Sequence, residues 1–268
     1  MPTTSECSFC GRELRRRTAT RLGRTVFCGV EECDCEGAVA ERERERAERE
    51  AAEAREELRR AMARYGRAGI PKLFLRNRPE ASETYSWVRP RARKIAETAM
   101  AGRGAYLVGP VGTCKTLVAA TAARYAVDAG MSVRFTSVSR VLDAVRGSYG
   151  TSRDSAAVMD AYASAGLLVL DDLGTESPTD WTLMKLFDLV NDRYEQMRPL
   201  VVTTQYARSE LVSRLAKNGD EETAVAIVSR LAETCDRYDF AGPDRRISHG
   251  EGDHASQAAV AAYGGAVC

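Results

Sequence analysis

Between residues 104 and 116 the chain reads GAYLVGPVGTCKT, an apolar run that breaks into a glycine-rich turn and ends on Lys-Thr. Few local patterns restrict a fold as tightly. A buried strand must hand over at once to a helix whose first N–H groups face back over the turn, and that makes a cradle for phosphate. The pattern G-x-x-x-x-G-K-[ST] fits Gly109 to Thr116 everywhere except Cys114, where glycine is usual. The expected loop is Gly109, Pro110, Val111, Gly112, Thr113, Cys114, Lys115, Thr116 and Leu117. Lys115 is expected to reach the β- and γ-phosphates, and the Thr116 hydroxyl to hold magnesium. The glycine that Cys114 replaces generally lies against the phosphates, in a backbone region that L-residues avoid. A Cβ there is expected to cost about 1–3 kcal/mol. At 1.4 kcal/mol per tenfold that is a roughly 5- to 150-fold loss of affinity. The loop therefore reads as functional but handicapped.

Two more apolar runs end in polar residues suited to the same edge of a sheet. GLLVLDDLGTE carries Asp171 and Asp172 at its tip, and the carboxyl ends of parallel strands are where α/β ligands bind. Asp171 is expected to bind magnesium through water, and Asp172 to orient or deprotonate an attacking water. PLVVTTQ ends on Thr204 and Gln205, either of which is suited to bond the γ-phosphate or that water. Strand-like runs at 105–109, 132–138, 166–173, 199–205 and 237–242 alternate with helical patterns. Continuous apolar strands separated by helices predict a five-stranded parallel sheet, doubly wound, with helices on both faces. The domain is expected to span 67–247, with a flexible Gly/Ala-rich tail over 248–268.

Residues 1–37 hold Cys7, Cys10, Cys28, Cys33 and Cys35, and CSFCG has the knuckle form that turns two thiolates toward one ion. Four thiolates suit tetrahedral zinc, and so short a segment needs a staple to fold. The expected ligands are Cys7, Cys10, Cys33 and Cys35, with Cys28 as the alternative. Residues 38–66, nearly all Ala, Glu and Arg, predict a helix laced by Glu45–Arg49 and Glu56–Arg60 at i,i+4 and by Glu41–Arg44 and Glu43–Arg46 at i,i+3. It lacks an apolar seam and reads as a solvated linker.

Thirty-nine basic residues nearly cancel thirty-eight acidic ones, so any grip on nucleic acid must come from a local patch. No apolar run reaches the roughly 18–20 residues of a membrane span, and MPTTSECSFC lacks a secretory pattern. A cytoplasmic location without membrane contact is expected.

From Gly69 to Arg246 the chain resembles the AAA+ helicase-loader ATPases of the DnaC type and the IstB-type transposition helpers. The resemblance lies in GIPKLF, YLVGPVGTCKT, LLVLDDLGTE, VNDRYEQ leading into RPLVVTTQ, and IVSRLAETC followed by FAGPDRR. It implies an AAA+ P-loop domain that binds ATP with Mg²⁺ and hydrolyses it, beside an N-terminal zinc module. It also implies an arginine finger at Arg230, which completes a neighbouring copy's site through self-association. Arg140, Arg146 and Arg153 fall where initiator-type members touch single-stranded DNA. Two departures stand out: Gln205 replaces the usual sensor Asn, and no lid of ordinary size follows FAGPDRR, where Arg245 and Arg246 are available instead. The leading expectation is a DNA replication protein that loads or remodels a replicative helicase on single-stranded DNA. The alternatives are a helper that binds duplex DNA and a transposase, and a non-hydrolysing adaptor whose activity Cys114 has removed.

Overall fold

A computed structural model describes residues 4–21, 24–76, 83–149, 154–176, 179–218 and 220–245. The expected tail at 248–268, Arg153 and Arg246 lie outside these residues. The chain divides into two compact units, residues 1–61 and 62–268. No helix among the described residues is long and apolar enough to cross a membrane.

In the first unit, β1 (Thr4–Glu6), β2 (Glu13–Arg21) and β3 (Arg24–Val30) form an antiparallel sheet in that order. The β1–β2 turn carries the knuckle: Gly11, at φ 71°, lets its N–H return to the Cys7 carbonyl. A bulge between Arg17 and Thr18 interrupts the β2–β3 ladder. The helix α1 (Glu36–Arg67) starts two residues before the expected 38 and runs one past 66. Its 32 residues span about 48 Å at 1.5 Å per residue. Of the anticipated charge pairs, Glu56–Arg60 and Glu41–Arg44 form. Arg44 and Arg46 also bond forward, to Glu48 and Glu50, in place of the expected Glu43–Arg46 and Glu45–Arg49 contacts. All of these groups are exposed, so the swap has little energetic weight.

In the second unit, α2 (Lys72–Arg76), a 3₁₀ turn at Glu83–Tyr85 and α3 (Val88–Met100) precede the sheet. Then follow β4 (Gly104–Val108), α4 (Lys115–Asp128), β5 (Val133–Ser137), α5 (Val138–Arg146), α6 (Ser155–Ala163) and β6 (Leu167–Asp171). The remainder is α7 (Asp180–Glu195), β7 (Leu200–Thr204), α8 (Arg208–Leu215), α9 (Glu221–Thr234) and β8 (Cys235–Asp239). All five strands are parallel, in the order β5-β6-β7-β4-β8. The expected sheet is present. Its last strand begins two residues before Arg237 and stops at Asp239, in register with Val108. Phe240 then turns inward and its N–H bonds the Val108 carbonyl at 2.7 Å.

Strand alternation sorts the core into two layers. Tyr106, Val108, Leu168, Leu170, Leu200 and Val202 join one large cluster with α5, α7 and α9. The intervening, equally buried Leu107, Leu167, Val169 and Val201 point to the opposite face. The helix α3, not anticipated from sequence, buries Val88, Ala92, Ile95, Ala96 and Ala99 against α4. Arg193 on α7 has only 1% exposure and donates to the carbonyls of Tyr162, Ala163, Ala165 and Pro199 at 2.6–3.1 Å. Burial, and then the charge of Arg198, lower its pKa to about 10. It ties the end of α6 to the entries of β6 and β7, and so holds the two strands whose tips build the site.

Candidate functional site

β4 lies between β7 and β8, strands reached much later in the chain. The crevice at its carboxyl end is therefore a topological switch point, where open α/β sheets bind ligands. A cavity of about 560 Å³ opens there, within the range of small-molecule sites. Its floor is the loop from Val111 to Leu117, and Asp172, Thr175 and Gln205 stand at one side. Lys115 is buried and its Nζ donates to the carbonyls of Gly109 and Pro110 at 2.7 Å each, which holds the ammonium inside the loop. The Thr113 hydroxyl bonds the Pro110 carbonyl at 2.8 Å and stiffens the turn.

Cys114 is the N-cap of α4, in the left-handed region at φ 69°, ψ 18°. The loop thus takes up the conformation that favours glycine although a cysteine occupies the position. Gly112 is required for a different reason. At φ 78° it sits beneath Asp244, and a Cβ would collide with that carboxylate.

Asp171, at the tip of β6, accepts from the Thr203 hydroxyl at 2.6 Å. Thr203 in turn accepts from the Asp172 N–H at 2.9 Å. Burial raises the Asp171 pKa; the Thr203 bond opposes that rise, the charge of Asp172 adds to it, and a bond from the Thr116 hydroxyl opposes it further. Thr116 and Asp171 are thus adjacent, a hydroxyl and a carboxylate of the hard-oxygen type that Mg²⁺ prefers. Asp172 has φ 57° and faces the cavity. Behind the pair, Glu176 folds inward and accepts from the Gly174 N–H at 3.1 Å, which shapes the turn.

Thr204 and Gln205 part company. Thr204 is fully buried, donates to the Leu173 carbonyl and accepts from the Tyr206 N–H. It does not line the cavity, because alternation at the strand end points it away. Gln205 does line the cavity, and its amide donates to the Tyr206 hydroxyl at 3.0 Å. Thr203 was missed in the sequence, although the strand period makes neighbouring threonines face opposite ways. Leu73, Phe74 and Tyr85 of the far wall were missed as well; Arg245, named above as available in place of a lid, joins them there. GIPKLF and FAGPDRR held the signal, but no local pattern brings them over the loop. Arg245 arrives because its N–H bonds the Gly112 carbonyl at 3.2 Å, with its guanidinium over the Trp87 and Tyr85 rings. The wall is apolar and aromatic opposite a phosphate-type floor, as a nucleotide base and its phosphates require.

The remaining arginines lie elsewhere. Arg230 packs over Phe187 and Tyr194 and donates to Asn191 at 2.9 Å; it does not line the cavity of its own chain. Arg140 is exposed on α5. Arg146 sits 4.6 Å over the Trp181 ring and 3.8 Å from Asp143.

In the first unit the sulfurs of Cys7, Cys10, Cys33 and Cys35 all lie within 4.8 Å of one another. Cys7–Cys35 is 3.8 Å and Cys10–Cys33 is 3.4 Å. A zinc–sulfur bond of about 2.3 Å in a tetrahedron sets sulfurs about 3.8 Å apart, so the set fits zinc. The backbone N–H groups of Cys10 and Phe9 lower the Cys7 pKa, whereas Cys10, though helped by the Arg12 N–H, is raised on balance by the Cys33 and Cys35 thiols, so the crowded sulfurs share their protons and the fit to zinc rests on the geometry. Cys28 stands apart, exposed, near the Val26 carbonyl.

Residues 99–251 match the model of the IstB-like ATP-binding protein family, a little over half of the chain. A protein of Mycobacterium tuberculosis, named as an ATP-binding protein in an insertion sequence, is 28% identical over 146 residues, covering 54% of this chain and 57% of its own length. A Bacteroides fragilis protein, named as an insertion sequence IS21-like ATP-binding protein, is 30% identical over 146 residues, covering 53% and 52%. This chain therefore spans about half the length of the relatives it matches. The crystal structure of DnaI aligns at a TM-score of 0.50 and 19% identity, over 60% of this chain and 86% of that one, a likeness of fold. The cavity floor from Val111 to Leu117 and the acidic tip of β6 both fall inside the matched span, and this chain belongs to the IstB-like ATP-binding protein family.

Proposed function

We propose that the protein is an ATPase that acts on DNA as a transposition helper, engaging duplex DNA and a transposase. The observation that carries this reading is that both relatives are named for insertion sequences. ATP would lie with its base against Phe74 and Tyr85 and its phosphates on the loop from Gly109 to Thr116. Lys115 would leave the loop carbonyls for the β- and γ-phosphates. Thr116 and Asp171 would hold Mg²⁺, which neutralises charge on the transferring phosphate. Thr203 is a positioning residue that fixes both aspartates. Asp172 and Gln205 would orient the water that attacks the γ-phosphorus. The bond to the ADP oxygen breaks, and the water's proton passes to Asp172. Arg230 would serve a neighbouring copy, because its guanidinium packs over Phe187 and Tyr194 without lining its own cavity, and a finger in trans stabilises the same charge. Zn²⁺ would hold the module at 1–37, that module would face partners, and the charged helix at 38–66 would serve as the linker behind it.

The test is ATP turnover by the full chain, with and without duplex DNA, together with capture of a purified transposase or a hexameric replicative helicase. Turnover stimulated by duplex DNA with capture of the transposase supports the helper. Capture of the helicase with stimulation by single-stranded DNA replaces it with the loader. Binding of ATP without turnover in every mixture replaces both with the adaptor.

A further inference from the structure

We propose that the β2–β3 hairpin of the cysteine-bearing unit is a docking surface for the phosphate backbone of duplex DNA. The inference rests on the DNA-handling part of the proposed function and gives it a place on the molecule.

The chain's charge is almost balanced at +1, yet the balance is not uniform. Helix α1 contains nine arginines and nine glutamates. From Leu14 to Val30 there are five arginines and no carboxylate, so the rest of the chain sums to −4. Arg15, Arg16 and Arg17 are consecutive on β2 and exposed. Arg15 and Arg17 form no ion pair among the described residues, whereas Arg44, Arg46, Arg59 and Arg60 on α1 are each answered by a glutamate. Outside α1, the unit's carboxylates lie toward the cysteine end: Glu13 and Glu31 border the arginine stretch, the Glu31 N–H bonding the Arg15 carbonyl, while Asp34 meets Arg12 and Glu32 meets Arg42.

Form agrees with charge. The nine residues of β2 make a ribbon about 30 Å long at roughly 3.3 Å per residue. A two-stranded ribbon is one of the elements the major groove admits. The exposed hydroxyls of Thr18 and Thr20 add neutral donors along the same strand. Arg16 Cζ lies 4.5 Å over the Phe27 ring, a cation–π contact across the ribbon.

An acidic protein partner is the competing occupant. Protein interfaces are built around a contiguous apolar centre with a polar rim. Val26 and Phe27 are each 51% exposed, but as neighbours on a strand they point to opposite faces. Neither face offers such a centre, whereas phosphates need only the arginines.

The experiment measures binding of the full-length protein to a fluorescein-labelled duplex by anisotropy, between about 50 and 200 mM salt, the range over which phosphate contacts show themselves. The variants are Arg15→Gln with Arg17→Gln, and, for the same change of net charge, Arg59→Gln with Arg60→Gln on α1. Each phosphate contact contributes about −0.9 to the slope of log K against log salt. The hairpin variant should lose about two units of slope and about tenfold or more in affinity at the lowest salt. The α1 variant should match wild type, and Arg15→Lys with Arg17→Lys should retain the slope. Equal losses in both Gln variants would reduce the effect to net charge. An unchanged hairpin variant that still shows DNA-stimulated turnover would remove this inference and leave the proposed function standing. Tighter binding of polyglutamate than of duplex would assign the surface to an acidic protein. No binding of duplex at any salt would remove both the inference and the DNA part of the proposed function.

Discussion

Replacing Cys114 with glycine separates two costs that a sequence alone lumps together. Cys114 holds φ 69°, ψ 18°, and its carbonyl accepts the first α4 bond, from Val118 N–H at 3.0 Å, so the start of the helix itself sets this conformation. A non-glycine residue in the left-handed region costs about 1–2 kcal/mol. A cost set by the start of α4 falls on the fold with or without ATP, and so should cancel from the dissociation constant. Glycine would remove it but give back roughly 0.5–1 kcal/mol through the greater freedom of the unfolded chain. The net gain is about 0–1.5 kcal/mol, and at roughly 2–4 °C per kcal/mol for this chain length the Tm should rise by up to about 6 °C. Only crowding by the thiol remains to affect binding. It should change the Kd by less than about tenfold, or 1.4 kcal/mol. That is far smaller than the upper end of the 5- to 150-fold loss expected from the loop pattern.

The assay is thermal unfolding without nucleotide, paired with titration of a fluorescent ATP analogue and Mg²⁺, on wild type and Cys114→Gly. Binding tightened about fiftyfold with no rise in Tm would overturn this, because the strain would then have to arise on binding.

Asp171→Asn should abolish ATP turnover and yet stabilise the metal-free protein near neutral pH. Burial raises the Asp171 pKa, so the charged form is the disfavoured one in the fold, and its penalty grows as pH rises through the folded pKa. Wild type and variant should therefore converge in unfolding free energy as the medium is acidified; a gap that widens in acid would contradict this. Arg193→Ala strands the carbonyls of Tyr162, Ala163, Ala165 and Pro199, and charged hydrogen bonds are worth about 1.5–3 kcal/mol each before compensation. A loss of at least about 3 kcal/mol is expected, or roughly 6–12 °C in Tm, with a smaller shift counting against its role as a tie. Elemental analysis should find one zinc per chain, lost in Cys33→Ser and kept in Cys28→Ser; the reverse pattern would move the ligand set.

What could be read in the sequence follows from what is local. A strand that runs straight into a glycine turn and a helix dictates its own geometry, so the loop and the start of α4 were legible in GPVGTCKT. Runs such as LLVLD and LVVTT are apolar up to their polar tips because helices cover both faces, and that made the parallel sheet legible. The alanine-rich stripe of α3 was harder to see, since its buried positions are small and its intervening residues charged.

Tertiary structure decided what depends on direction and on distant neighbours. The choice of Thr203 over Thr204 as the residue that holds the aspartates turns on which face each hydroxyl takes at the end of β7. Arg245 joins Phe74 and Tyr85 in the wall only because β8 lies beside β4, which brings the chain that follows β8 back over Gly112. Arg193 reads in the sequence as one more charge on a helix, and only the packed chain turns it inward onto carbonyls of β-strand entries. A residue's type and spacing set which element it joins. Which partner it meets is set by the order of the strands, and that order is a property of the whole fold.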